Sequence, residues 1–273
     1  QRADGYHLIE SLVVFAGPGD RVAVEAADQD DFSVTGPFAS SLPAAEGNLV
    51  LRVRDLLRLH FGAAAQHPVA LKLEKNLPVA SGIGGGSSDA AAAFRLLVRH
   101  WKLDASQEDL ARIALELGAD VPMCLASRPL VARGIGEKLE PAAGFPSLPL
   151  LLINPGVPLE TRAVFARLVK RANQVLGALP RCESLAEIVR WLHSTRNDLQ
   201  APALSLLPEI ADALGLLDAQ GALLSRMSGS GATCFGIFGS AEAAEEAAGK
   251  ITRQRPGWFV CPTATLSAEH HHG

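Results

Sequence analysis

A glycine-rich segment directly before a helical run constrains this sequence most. Residues 77–97 read LPVASGIGGGSSDAAAAFRLL, with four glycines within five residues, then two serines, an aspartate and four alanines. Glycine adopts positive φ at low cost and, without a Cβ, lets a ligand approach the main chain. A strand, a glycine-rich loop and a helix in this order direct backbone N–H groups at an anion. The segment predicts a phosphate-binding loop, with a tight structural turn as the alternative.

The residues around these glycines exclude the common phosphate loops. No lysine follows them, as G-x-x-x-x-G-K-[ST] requires, and Ser87 stands where a dinucleotide fingerprint needs its third glycine. The protein-kinase landmarks H-R-D and D-F-G are absent. Ser87 and Ser88 are typical helix N-cap residues. Asp89 places a negative charge near the expected phosphates, which is unfavourable unless it faces a bound Mg²⁺ or caps the helix N-terminus.

Composition excludes several classes of protein. The chain has 273 residues, enough for two domains, with 48% apolar and 20% charged residues and a net charge of −4, which does not suit a nucleic-acid backbone. No apolar run reaches the roughly 20 residues that span a bilayer, so we expect a cytoplasmic protein without a membrane partner. The cysteines form no C-x-x-C pair and are expected to be buried free thiols: Cys124, Cys182, Cys234 and Cys261.

Hydrophobic periodicity and turn residues predict alternating strands and helices in two α+β layers. Strands are expected at 7–16 and 20–27, joined by the tight turn GPGD, and at 69–77, 148–156, 221–229, 233–239 and 258–266. Helices are expected at 49–61, 88–100, 106–117, 161–176, 185–192, 207–217 and 241–254. The linker EPAAGFPSLP divides the chain into domains 1–146 and 147–268, and residues 269–273 are typical of a tag remnant.

Four segments in serial order resemble the GHMP kinases. They are RADGYH at 2–7, the glycine-rich segment, GADVPMC at 118–124 and SRMSGSGATCFGIF at 225–238. The set is similar to the branch of that superfamily that phosphorylates a cytidylyl sugar alcohol in the non-mevalonate isoprenoid precursor pathway. The resemblance implies a two-domain α+β fold. Its N-terminal ATP-binding domain would resemble ribosomal protein S5 domain 2, and its C-terminal domain would be a ferredoxin-like α/β sandwich.

The resemblance implies Mg²⁺-dependent transfer of the ATP γ-phosphoryl group to a hydroxyl, without identifying the metal ligands. Asp120 matches the catalytic aspartate, which would accept or orient the hydroxyl proton; without the resemblance it is a turn residue after a helix. The implied ATP-binding residues are Pro78, Gly82, Gly84, Gly85, Gly86, Ser87, Ser88, Asn48 and Lys75. For Lys75 the alternative is a solvated surface lysine.

A second group of residues is implied to bind the cytidylyl substrate. A histidine and two aromatic rings suit cytosine, which offers donors, acceptors and a stacking face. The matching residues are Tyr6, His7, Phe165, Thr161, Gly229, Ser230 and Gly231. The alternatives are a turn for DGYH, a helix core residue for Phe165 and a plain hairpin turn for SGSGAT.

The match departs from the family at its start. The family has a catalytic lysine on a first strand upstream of DGYH, and both would precede Gln1. We therefore expect the chain as given to bind its ligands with impaired turnover. Two alternatives stay open: another GHMP kinase, of homoserine or mevalonate type, and a non-catalytic nucleotide-binding module. A monomer or weak homodimer acting on a small molecule is expected.

Overall fold

The computed structural model describes residues 8–42, 47–170, 173–180 and 184–267. Its strands are β1 Ile9–Val13, β2 Arg21–Ala26, β3 Asp31–Thr35, β4 Val69–Glu74, β5 Leu130–Gly134, β6 Lys138–Pro141, β7 Pro149–Asn154, β8 Leu224–Met227, β9 Cys234–Ile237 and β10 Phe259–Ala264. Its helices are α1 Leu49–Phe61, α2 Gly85–His100, α3 Gln107–Leu117, α4 Val121–Ala126, α5 Thr161–Ala166, α6 Leu185–His193, α7 Gln200–Leu206, α8 Glu209–Ala219 and α9 Ala241–Gln254.

The N-terminal half packs helices against two three-stranded sheets. One sheet has the order β2-β4-β3, with β3 parallel and β2 antiparallel to β4, and the other has the antiparallel order β1-β5-β6. Helix α2 lies in the core, where Ala90, Ala91 and Ala93 have no exposed surface. The small alanine side chains let α2 approach α1, α4 and β2 closely, while Phe94 and Leu97 fill the core.

The C-terminal half is built on the antiparallel sheet β10-β7-β9-β8. The elements β7, α8, β8, β9, α9 and β10 form a β-α-β-β-α-β pattern in chain order, with α5, α6 and α7 as additional helices between β7 and α8. This sequence of elements and strand order are those of a ferredoxin-like sandwich. The α+β prediction and the ferredoxin-like prediction for this half are confirmed.

The last described strand returns to the N-terminal half. Leu266 N donates a hydrogen bond to Phe15 O (2.7 Å), and Gly17 N donates one to Ala264 O (3.1 Å). The predicted linker is partly buried in this region: Phe145 is only 1% exposed and belongs to a hydrophobic cluster with Leu12 of β1 and other apolar side chains of both halves. The two halves therefore share a hydrophobic cluster, and the boundary at residue 146 stays a prediction.

The structure differs from the predicted secondary structure in several places. Strands β1 and β2 form as predicted, and each pairs in a different sheet. The helix expected at 161–176 ends at Ala166, and the segment beyond it exposes its apolar side chains, such as Val169 at 96%. A helix without a buried apolar face lacks the packing that stabilises it. Helix α4, helix α7, strand β3 and the β5–β6 hairpin were not predicted.

Helix ends with strong local signals follow the sequence. Helix α3 begins after Ser106, whose Oγ accepts from Asp109 N (3.1 Å), and it ends at Gly118. Helix α9 has the predicted bounds, with Ser240 as its N-cap. In the described part of the chain, every helix is too short or too polar to cross a bilayer.

Candidate active site

The loop before α2 leaves a stretch of main chain open to solvent. Gly84 is the N-cap of α2 in the left-handed conformation (φ +69°), and a Cβ placed on it would have no atom within 4 Å. The first intrahelical bond runs from Ser88 N to Gly84 O (2.9 Å), so the N–H groups of Gly85, Gly86 and Ser87 precede the helical ladder. These donors and the helix dipole are suited to an anion.

The prediction that Ser87 or Ser88 caps this helix is wrong. Helix α2 begins at Gly85, three residues earlier than expected, because Gly84 can adopt the positive φ that starts it. No side chain caps the helix. Ser88 lies in the first turn, and its Oγ donates to Cys124 Sγ (3.6 Å) on α4. The N-terminus of α2 is thereby left for a ligand, and its first turn is held against α4.

A buried ionic cluster lies beneath this turn. Lys75 Nζ pairs with Asp20 Oδ2 and with Asp89 Oδ2 (3.1 Å), and the three side chains are 3%, 1% and 8% exposed. Asp20 Oδ1 also accepts from the backbone N–H groups of Asn76 (2.6 Å) and Leu77 (2.9 Å). The alternative of a solvated surface lysine at Lys75 is therefore wrong. Asp89 does not cap α2, and the cation that compensates it is Lys75.

Asp89 is an unusual acid. Burial raises the pKa of its carboxyl to about 7, and the charge of Asp20 and a hydrogen bond to it act in the same direction, while Lys75 opposes both. The sequence did not identify Asp20 as a site residue. Nothing in GPGD indicates that its aspartate pairs with a lysine 55 positions away. A turn aspartate directly before an apolar strand was the only available signal.

Asp120 directly precedes α4, the short helix that contacts the first turn of α2. It is the N-cap of α4 but makes no capping bond with its side chain. Cys124 N donates to Asp120 O (3.2 Å), and Cys124 in turn contacts Ser88 of α2. The residue is accessible to solvent, yet desolvation by its surroundings raises the pKa of its carboxyl. A free carboxylate with a raised pKa beside an anion site is suited to proton transfer.

The turn between β5 and β6 packs against the chain next to Asp120. A Cβ on Gly136 (φ +120°) would lie 2.9 Å from Ala119 O and 3.3 Å from Met123 Cε. Only glycine lets this turn lie directly against the residues on both sides of Asp120. Burial also raises the pKa of the nearby Cys124 thiol to about 11, so that thiol stays neutral.

The second glycine loop, residues 228–233, packs onto the first. Ser228 Oγ donates to Gly82 O (3.0 Å), and Thr233 N donates to Ser81 O (3.0 Å). A Cβ on Gly82 (φ +75°) would lie 2.6 Å from Gly231 N, and one on Gly229 would lie 2.8 Å from Gly82 O. The loop predicted from SGSGAT is therefore more than a plain hairpin turn, since it fixes the path of the first loop.

The predicted substrate residues on this side come partly together. Two of them are in contact: Thr161 Oγ1 and Ser230 Oγ are 2.8 Å apart, which joins the start of α5 to the second loop. Phe165 is half-buried on α5, so it is not the fully buried core residue of the alternative. Gly231 is buried, and a Cβ there would meet Met227 Sδ at 2.7 Å, which gives it a packing role.

Asparagines that sequence reasoning missed hold the second loop. Asn197 Nδ2 donates to Met227 O and Gly229 O (both 2.8 Å), and Asn154 Nδ2 donates to Thr233 Oγ1 (2.9 Å). Their amides satisfy main-chain and hydroxyl groups that a loop cannot pair internally.

The remaining predicted residues either contact groups outside the two glycine loops or lie outside the described residues. Asn48 is the N-cap of α1, with Oδ1 accepting from Val50 N (2.9 Å), and the next residue, Leu49, lies against Gly86. Pro78 is buried, and its carbonyl accepts from Ser81 Oγ (2.7 Å). Tyr6 and His7 lie outside the described residues, as does Cys182. Cys124 and Cys234 are buried free thiols, as predicted, whereas Cys261 is only half-buried.

Comparison with known proteins identifies the family. The model of the GHMP kinases N terminal domain matches residues 48–128, and that of the GHMP kinases C terminal domain matches residues 175–256. A 4-diphosphocytidyl-2-C-methyl-D-erythritol kinase of Chelativorans sp. is 58% identical over 268 residues, covering 98% of this chain and 91% of that protein. The kinase of the same name from Mesorhizobium japonicum is 54% identical, with the same coverage of both chains.

Solved structures agree with this assignment. A crystal structure of 4-(cytidine 5'-diphospho)-2C-methyl-D-erythritol kinase has a TM-score of 0.78 at 29% identity, covering 97% of this chain and 93% of that one. Homoserine kinase from Cytophaga hutchinsonii has a TM-score of 0.74 at 18% identity, covering 97% and 96%, and shares the fold. The chain belongs to the 4-diphosphocytidyl-2-C-methyl-D-erythritol kinase family of the GHMP kinases.

Proposed function

We propose that this chain transfers the γ-phosphoryl group of ATP to the 2-hydroxyl of 4-diphosphocytidyl-2-C-methyl-D-erythritol, a step of the non-mevalonate isoprenoid precursor pathway. The observation that carries the proposal is the open N-terminus of α2, whose first turn contacts the short helix α4 that begins directly after Asp120. The names of the relatives supply the acceptor.

The nucleotide would bind along the first glycine loop. The amides around Gly84, Gly85 and Gly86 and the hydroxyls of Ser87 and Ser88 would hold the phosphates. The exposed main chain of Gly84 and Gly86 supports this assignment. Asn48, next to the Leu49 side chain that adjoins Gly86, would lie toward the adenine. Lys75 would act from beneath the loop, and Pro78 and Gly82 would shape its path.

Asp120 would accept or orient the proton of the attacking hydroxyl. The bond from the substrate oxygen to the γ-phosphorus forms, the bond from that phosphorus to the oxygen bridging the β- and γ-phosphates breaks, and the hydroxyl proton passes toward Asp120. The raised pKa of this carboxyl makes it a better proton acceptor than an ordinary aspartate. Phosphoryl transfer depends mainly on positioning and charge neutralisation, which the loop amides supply in part.

Mg²⁺ would neutralise phosphate charge when bound with the nucleotide. Among the described residues, no three His, Cys, Asp or Glu side chains group together as ligands of a metal ion.

The acceptor would bind between the second loop and the N-terminal segment. Tyr6, His7 and Phe165 would contact the cytosine ring. The rest of the site would be lined by one residue of α5 and three of the second loop: Thr161, Gly229, Ser230 and Gly231. The contact between Thr161 and Ser230 supports placing α5 and the second loop in one site. We further propose a cytoplasmic monomer or weak homodimer with no nucleic-acid or membrane partner, and the net charge of −4 supports the absence of nucleic acid.

An acceptor panel tests the proposal. ADP release by the full-length gene product is measured with the cytidylyl methylerythritol, homoserine and mevalonate. Turnover on the cytidylyl compound alone is expected. Turnover on homoserine or mevalonate but not on the cytidylyl compound contradicts the acceptor, and absence of any nucleotide binding indicates a non-catalytic module.

A further inference from the structure

The charged cluster of Asp20, Lys75 and Asp89 forms the floor of the phosphate loop. A Cβ on Gly85 would lie 3.4 Å from Lys75 Nζ and 3.7 Å from Asp20 Oδ2. The main chain whose upper side is open to a ligand therefore rests directly on ionisable groups that solvent barely reaches. In such a dry position, a charge placed above the loop acts strongly on these groups.

The cluster contains two carboxyl groups and one ammonium group. With both carboxyls ionised its net charge is −1, beneath a site that is to receive a polyphosphate. Two like charges that share one buried site favour the uptake of a proton by one of them. One proton on the pair makes the cluster neutral and removes its repulsion toward phosphate.

We propose that Asp20, Lys75 and Asp89 form a proton-linked support for the phosphate loop, in which nucleotide binding above Gly85 transfers one proton from solvent to the Asp89 carboxylate. The inference rests on the proposed function, because it places the nucleotide phosphates at residues 84–88. Asp89 and Lys75 are positioning residues in this account. The O–H bond to Asp89 is the only covalent bond that forms.

The hydrogen bonds distinguish Asp89 from Asp20 as the proton acceptor. Asp20 accepts hydrogen bonds from Lys75 and from two backbone N–H groups, so donors already occupy both of its carboxyl oxygens. Asp89 has the longer contact to Lys75, at 3.1 Å. Burial and Asp20 already raise the pKa of Asp89 to about 7, and an added phosphate charge raises it further.

Other charged and titratable groups around α2 fit this assignment. From α4, the buried Cys124 thiol stays neutral, and ionised Asp120 would favour the protonated form of Asp89. Arg21 of β2 and Glu74 of β4 pair with each other at the surface. Arg54 and Arg58 of α1 pair with Asp30, and Arg95 of α2 donates to Cys124 O.

Calorimetry with Mg²⁺-saturated ADP measures the proton directly. Binding is followed in two buffers of different ionisation enthalpy for the wild-type chain, for Asp89→Asn and for the control Asp55→Asn, which removes an exposed carboxylate of α1. Proton exchange by ADP itself is common to all three proteins. The wild type and Asp55→Asn are expected to take up on the order of half a proton more than Asp89→Asn near pH 7.5.

The pH dependence of ADP affinity gives a second readout. Above the pKa of Asp89, its ionised carboxylate repels the phosphates of ADP. The affinity for ADP therefore falls as pH rises. The wild type is expected to lose about three- to tenfold in affinity between pH 6.5 and pH 8.5, relative to Asp89→Asn over the same range. A structural role of Asp89 alone would shift affinity equally at every pH.

The outcomes separate this inference from the proposed function. Normal ADP binding with equal proton uptake by the wild type and Asp89→Asn overturns the inference and leaves the proposed function standing. Failure of ADP to bind the wild type overturns both. Should Asp89→Asn not fold, infrared difference spectra of the wild type with isotope-labelled aspartate decide: a carboxylic-acid C=O band must grow when ADP is added, and its absence overturns the inference.

Discussion

The loop before α2 and the loop between β8 and β9 are both rich in glycine, and they differ in what lies beside those glycines. Gly84 has open space where a side chain would be, and Gly84 and Gly86 are exposed. Gly229 and Gly231 instead lie against Gly82 and Met227, with less than 3 Å available for a Cβ. Gly84 and Gly86 leave the main chain of the first loop exposed, whereas Gly229 and Gly231 let the second loop pack closely against other parts of the chain. Composition alone does not separate these two uses.

The substitution with the largest predicted effect tests whether Asp120 serves the transfer step while the first loop binds the nucleotide. Asp120→Asn keeps the shape of the side chain but removes its ability to accept a proton. Because the proposed phosphate contacts come from the first loop and not from Asp120, we expect kcat of the gene product to fall about 10²- to 10⁴-fold with nucleotide affinity nearly unchanged. Steady-state ADP release and calorimetry measure the two quantities. A parallel loss of nucleotide affinity contradicts the division.

The packing role of glycine is tested by a matched pair of substitutions. Gly82→Ala and Gly84→Ala both place a methyl group on a residue with positive φ, at +75° and +69°. Gly82→Ala also forces its Cβ into the main chain of Gly231. We expect a loss of about 3 kcal/mol in the free energy of unfolding for Gly82→Ala and about 1 kcal/mol for Gly84→Ala. Denaturant unfolding measures both, and equal losses would break the comparison.

The ligand role of glycine is tested at Gly85. Its φ is not positive, and it lies at the start of α2 between the ligand side and Lys75. The branched side chain of Gly85→Val obstructs the phosphate path, so the Kd for nucleotide is expected to rise at least tenfold, or about 1.4 kcal/mol. His7→Ala is the control and is expected mainly to raise KM for the cytidylyl substrate. Equal effects of the two variants on nucleotide affinity would count against separate sites.

The smallest expected effect lies outside both loops. Arg58 and its hydrogen bonds hold the pKa of Asp30 at about 2, and the carboxylate also accepts from Val69 N. The pKa is depressed in the folded state, so its stabilisation is present above the unfolded value near 4 and is lost as pH falls toward 2. Asp30→Asn is expected to lose about 1 kcal/mol of stability at neutral pH and almost none below about pH 2, with unchanged nucleotide affinity. Unfolding curves at several pH values check this.

The sequence allowed local features of the fold and site to be predicted. The Ser106 cap, the end of α3 at Gly118 and the bounds of α9 follow from residues within a few positions of each other. The first glycine loop was recognised because its chemistry lies in consecutive residues. The role of Asp120, which was taken from the family resemblance, stays a prediction.

Features that depend on distant residues could not be predicted. The pairing of Lys75 with Asp20 joins residues 55 positions apart and requires the path of the chain from β2 to β4. Helix α2 starts at Gly85 because Gly84 adopts a positive φ. The serines that follow are the more typical N-cap residues, so the sequence predicted a later start. The contact of Gly82 with Gly231 joins two halves of the chain, and no periodicity within either half indicates it.

We propose that the amides around Gly84–Ser88 hold the nucleotide phosphates. Amide chemical shifts of the chain with ¹⁵N-labelled glycine, titrated with a Mg²⁺-bound, non-hydrolysable ATP analogue, test this proposal at the residues concerned. We expect saturable shifts of Gly84, Gly85 and Gly86 that exceed those of Gly229 and Gly231. Unchanged resonances of the first three at saturation, or shifts confined to the second loop, would contradict it.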